Sequence, residues 1–241
     1  MIKIDIKSDV ENVKAKLKHF QREIPFAIAS GLTSVGKIVK ENERQTILHV
    51  FQGPVARTRS SVYLRWATKT NQSALVWIVE DAAKGTPPVK YLMPEIESGY
   101  RNKTRFERAL ERAGILGARE YVVPSKYAKL NASGNVTAGT YTRVLSQLRA
   151  SPDPGQNRTG SARSKKSRSA AAYFYQRTGT ARGIWERRGR AVKPLFVFVT
   201  DRPNYRRRFD FYGVANKTAA RHLPREFEKA VIKAMATARV R

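Results

Sequence analysis

No cysteine occurs anywhere in the 241 residues. That removes a disulfide scaffold, cysteine-based zinc sites and thiol chemistry together, and it suits assembly in a reducing cytoplasm. Histidine is nearly as scarce. His19, His49 and His222 stand apart, none at a metal-ligand spacing from another, and read as solvent-facing or capping side chains. No apolar run approaches the ~18–20 residues of a membrane span, and the alternating start Met1–Lys7 does not read as a secretory leader. Acid is the third shortage. Asp and Glu number 19 against 47 Lys and Arg, a formal charge of +28. A compact body with that surplus repels itself and attracts polyanions: nucleic acid, acidic protein or an anionic membrane.

Catalytic patterns are missing too. No Walker-type phosphate loop is present. Gly179, Gly183 and Gly189 stand among Arg182, Arg187, Arg188 and Arg190, where they read as turns between strands. Nothing resembles a nucleophile elbow, although a Ser-His-Asp triad assembled only in space leaves no local signature. Glu95 and Glu97 are two apart, which would share one face of a strand and give two oxygens to Mg²⁺. Pro94 precedes them and no further aspartate follows nearby, so the reading is of a non-enzymatic protein without cofactor or metal.

What the chain does have is enough apolar residue, 41 %, for one core over 1–241, with a mobile basic loop around 151–170. The fold class expected is α+β: an N-terminal strand and long helices packed on a mainly antiparallel sheet, closed by a C-terminal helix. Ile2, Ile4 and Ile6 alternate with charge, as in a half-buried strand. Ser8 and Glu11 form a capping-box pair, so a helix is predicted from there with Val10, Val13, Leu17 and Phe20 on one stripe. Pro25 reads as the first turn of a second helix carrying Ile28, Leu32, Val35 and Val39. Val62–Trp66 and Leu75–Val79 suggest a hairpin, and residues 104–116 and 138–149 two short helices. Tyr173–Tyr175, Ile184–Glu186 and Leu195–Val199 suggest an antiparallel meander. Pro224 reads as the start of the last helix.

The charge is uneven. Residues 1–120 hold 21 basic and 13 acidic side chains, whereas residues 121–241 hold 26 and 6. Three dense groups stand out in the second half: Arg158, Arg163, Lys165, Lys166 and Arg168; Arg187, Arg188 and Arg190; Arg206, Arg207 and Arg208. Tyr173, Tyr175, Trp185, Tyr205 and Phe209 interleave with them. Arginine forks grip phosphates and release counterions, and aromatics stack on single-stranded bases. The same pattern also describes a strand core with a solvated basic face. These basic groups are therefore candidates for binding a polyanion or an acidic protein partner.

Several blocks resemble phage virion proteins. The opening MIKIDI followed by a long helical region is similar to the start of phage tail-completion and minor tail proteins. Lys90–Gly99 followed by Arg105–Leu110, the strand Lys193–Val199 and the run Tyr205–Val214 resemble blocks of prophage-encoded virion proteins. The closing LPREFEKAVIKAMATAR resembles the basic final helix of the minor tail protein Z group. The resemblance touches both ends and two interior blocks, about half of the chain. It implies a virion component, assembled in the host cytoplasm, that completes the tail or neck and joins it to the head. The implied partners are portal, connector or tail-tube proteins, further copies in a ring, and packaged DNA in the channel. No catalytic residues carry over. The alternative class is a basic nucleic-acid-binding protein outside the particle.

Overall fold

A computed structural model describes residues 6–81, 85–179 and 181–238, with the side chains of 6–20, 22 and 238 left out. In chain order the elements begin with α1 (Ile6–Val50), α2 (Ala56–Arg59), β1 (Val62–Arg65), β2 (Leu75–Ile78), α3 (Pro88–Glu97) and β3 (Gly99–Tyr100). They continue with α4 (Arg105–Arg112), β4 (Tyr121–Pro124), α5 (Ala138–Gln147), a 3-10 turn (Pro154–Gln156) and α6 (Ala162–Ala170). Then come β5 (Ala172–Gln176), β6 (Gly183–Arg188), β7 (Ala191–Val199), β8 (Asn204–Tyr205) and α7 (Phe211–Ala238). The class is α+β, as expected. Two compact units form, one of residues 1–96 and 207–241, the other of residues 97–206.

The first unit is built on α1, a single helix of 45 residues. Pro25 was expected to start a second helix, yet it lies inside α1. An interior proline costs about 3 kcal/mol through its missing donor and its clash with the preceding turn. The face that follows it offsets this: Ala27, Ala29, Val35, Val39 and Ile47 are all buried. Pro224 likewise lies inside α7, which starts thirteen residues earlier than the sequence suggested. The start of α7 is set by Asp210, whose side chain accepts from Gly213 N at 3.2 Å. The strand expected over Met1–Lys7 falls mostly on Met1–Asp5, outside the described residues, and Ile6 already belongs to α1. The Ser8–Glu11 pair therefore lies within the helix and does not begin it.

α1 and α7 run antiparallel. Ala27 packs with Ala230 and Ala234, Gly31 faces the Phe227 ring, and Asn42 Nδ2 donates to Thr218 Oγ1 at 3.1 Å. A Cβ on Gly31 would stand 3.1 Å from that ring, so the small residue sets the interhelix distance. The antiparallel hairpin β1–β2 pairs Val62 with Ile78 and lies on α1 where a Cβ on Gly36 would meet Leu64 at 2.6 Å. Ile47, Val62, Ile78, Leu92, Ile96, Phe209 and Phe211 form one apolar cluster. An ion pair closes it: Arg208 Nε and Nη2 donate to the two oxygens of buried Glu95, each at 2.7 Å.

In the second unit the sheet order is β4-β7-β6-β5, all antiparallel. The expected meander is β5–β6–β7, and β4 adds to its β7 edge. α4 and α5 cover one face: Phe106, Leu110 and Val144 pack with Tyr173, Ile184, Phe196 and Phe198. α4 begins with a reciprocal Thr104–Glu107 capping box. Glu107 is 1 % exposed and accepts from Arg101 at 2.6 and 2.7 Å, Thr104 N at 2.7 Å, Thr104 Oγ1 at 2.9 Å and Val122 N at 2.8 Å. Burial alone would raise this carboxyl. The hydrogen bonds from Arg101, Val122 and Thr104, with the charge of Arg101, outweigh it and hold the carboxyl below its ordinary value.

Glu43 is the opposite case. It is fully buried on α1 and neither oxygen has a partner. Its carboxyl is pushed up to about 8, by burial first and by the charge of Asp210 second. A raised folded-state value means that the cost of Glu43 is absent below its ordinary 4.5 and complete above about 8. Stability should therefore fall by about 1.4 kcal/mol per pH unit inside that window. Glu43→Gln should flatten the slope, gaining most over the parent chain at pH 9 and least at pH 4 in urea titrations. Glu107→Gln should act in the other direction. It leaves Arg101 half-buried beside a neutral amide, and a loss of about 3–5 kcal/mol is expected by the same titration.

Candidate polyanion-binding surface

The basic loop expected around 151–170 is half helix. Asp153 caps the 3-10 turn and Ser161 caps α6, accepting from Ser164 N at 3.3 Å. Residues 162–170 contain alanine, serine and basic residues with good helix propensity and no proline, whereas the loop character rests on Pro152 and Pro154, both before them. No residue of α6 is buried. Arg168 folds back to Thr159 O at 3.3 Å and Ser164 Oγ at 3.0 Å. Arg163, Lys165 and Lys166 are exposed and make no ion pair with the described residues. Arg158 is exposed as well; its backbone N–H donates to Ser146 O at 2.9 Å.

The second group sits at one end of the sheet. Arg188 pairs with Ala191 across a two-residue turn of Gly189 and Arg190. Gly189 has φ 56°, the left-handed value that the first central residue of a type II′ hairpin turn requires. Ala172, the first residue of β5, pairs with Arg187, so α6 enters the sheet at the end that carries this turn. Arg187 stands over the Phe174 ring at 5.4 Å. Arg188 is spent: it donates to Glu186 Oε1 at 2.8 Å, and Tyr173 Oη donates to the same oxygen at 3.0 Å. Arg188's hydrogen bond is the largest cause that lowers the Glu186 carboxyl, and the charge of Lys129 adds to it.

Chain topology adds residues that sequence density did not single out. Lys193 pairs with Glu186 across β6–β7. Ser125, just past β4, bonds back to Leu195 O at 3.0 Å, which carries Lys126 and Tyr127 to the same place. Lys126 and Lys193 both approach the Tyr127 ring, at 5.2 and 5.6 Å. Arg143 of α5 reaches Tyr173 by its charge. Lys126, Lys129, Arg143 and Lys193 stand singly along the sequence, so no local window marks them. Register sets Lys193 opposite Glu186, the charge of Lys129 reaches that carboxyl, Arg143 reaches its partner Tyr173, and Lys126 shares the Tyr127 ring with Lys193.

The third group disperses. Arg206 is exposed at the end of the second unit, while Arg207 pairs with Asp210 and Arg208 with Glu95 in the first. Arg207 and Arg208 each hold an acid of the first unit, with more than half of each side chain still exposed. Glu95, expected on a strand, lies on helix α3, because Leu92, Glu95 and Ile96 share its buried side. Its two oxygens are taken by Arg208. Among the described residues no group of three or more histidines or carboxylates stands together as metal ligands, and no helix is long and apolar enough to cross a membrane.

No protein-family model matches the chain, and neither a curated protein nor a solved structure matches it.

The surface that results is positive and solvated, with the Glu186 carboxylate already paired. Replacing Arg163, Lys165 and Lys166 together by alanine removes three uncommitted charges and no buried contact. The thermal midpoint should stay put, while the dependence of heparin or DNA affinity on salt should become shallower, by about 2–3 in the log–log slope.

Proposed function

We propose that this chain is a non-enzymatic structural component of a tailed-phage virion. It completes the tail or neck and joins it to the head or portal through protein–protein contacts. The observation that carries this reading is the Glu95–Arg208 ion pair. It joins Glu95 of the resembling block Lys90–Gly99 to Arg208 of the resembling run Tyr205–Val214, both residues within the first unit. A third such block, Arg105–Leu110, holds Glu107, the most heavily bonded carboxylate of the second unit. The basic surface supports the same reading, since a neck or tail component lies beside packaged DNA and other virion proteins.

A second reading keeps the chain outside the particle as a nucleic-acid-binding protein. The three uncommitted cations of α6, none of them buried, favour it. Quantitative mass spectrometry of purified virions separates the two. A fixed copy number per particle, with cross-links to portal, connector or tail-tube proteins, is expected. Absence from the particle together with tight, steeply salt-dependent binding of DNA by the free chain would replace the first reading by the second.

A further inference from the structure

The sheet of the second unit has one face under α4 and α5 and another whose valines stay exposed. Strand alternation and register define that other face. Val123 of β4 pairs with Val197 of β7. One step along, Trp185 of β6 pairs with Phe174 of β5. A further step brings Arg187 beside Val192. These six side chains thus cross all four strands. Val123 is 40 %, Val192 42 % and Val197 38 % exposed. Between Val197 and β5 the floor is Gly183, where an added Cβ would run into Phe196 O. The face therefore has an aliphatic and aromatic centre and a shallow floor, and none of its six side chains is acidic.

We propose that this open face docks another protein, one whose surface has an apolar centre and an acidic rim. The inference rests on the assembly reading above and names the kind of partner. Three observations select it. The centre is aliphatic, and phosphates would leave three half-exposed valines in water, whereas a protein surface covers them. The Phe174 ring on this face, a surface on which a base could stack, already carries Arg187. The rim is basic, with Arg187 on the face and Arg190 in the adjoining turn, so the complement is acidic. A second copy of this unit does not fit. Residues 97–206 hold 23 basic and 7 acidic side chains, and two such faces repel.

A photo-cross-linking amino acid at Val197 of the full chain, in phage-producing cells, tests this. Adducts are sorted by nuclease and protease digestion and peptide mass spectrometry. The expected product is a phage-encoded protein joined through a segment of net negative charge. Its yield should drop at least tenfold in Val123→Asp and in Arg187→Glu, with circular dichroism unchanged, and should persist in Arg187→Lys. Adducts to nucleic acid, adducts to a second copy of the chain, or no adduct would each overturn the proposal. Virion content is measured in parallel. A chain present in particles without the adduct defeats only the docking face. An acidic-partner adduct from a chain absent from particles defeats only the virion reading.

Discussion

With 19 carboxylates against 47 cations, where each acid is placed decides what the surface becomes. The fold takes several of them inward. Glu107 gathers Arg101, Thr104 and Val122 at the base of α4. Glu95 locks α3 to the segment that leads into α7. Glu120 holds Arg182 at 2.6 Å, and Glu186 holds Arg188 and Tyr173. A buried carboxylate is tolerated only when paired and hydrogen-bonded, so each fixes its donors while leaving the remaining cations outside. The basic surface is the complement of this internal pairing, and nearly every candidate site residue follows from which cations found an acid.

Glu43 is the exception that shows the rule's cost. It sits where α1 meets the start of α7, with Asp210 adding negative charge. The long helix pair accepts it because the surrounding face is otherwise thin and apolar, from Ala27 to Ile47. The same helix pair accepts Pro25 and Pro224 in its interiors. Packing over many turns outweighs local penalties that would break a shorter helix.

That balance explains what the sequence disclosed. The hairpin over 62–79, the meander over 172–199 and the short helices near 105 and 138 were legible, because period and turn residues agree there. The continuity of α1 and α7 was not, since a proline is a local signal and the burial that overrides it is long-range. α6 was hidden by its neighbours Pro152 and Pro154. Of the candidate site, the density of Arg163–Arg168 and Arg187–Arg190 was visible. The fate of Arg207 and Arg208 was not, because their partners are chosen by topology: Glu95 lies 113 positions from Arg208. Lys126, Lys129, Arg143 and Lys193 join the site through the tertiary fold, which no local window of sequence marks.

The division between committed and uncommitted cations can be read directly by residue-resolved covalent labelling of the native chain. Lysines are acetylated and arginines treated with a dicarbonyl reagent, and rates are followed by peptide mass spectrometry. Arg163, Lys165, Lys166 and Arg190 should label at the rates of free side chains. Arg101, paired with Glu107, and Lys103, held at 2.9 Å by Glu111, should stay protected until the chain unfolds. Equal rates across both groups would contradict the account, because the positive surface would then not be what internal pairing leaves over.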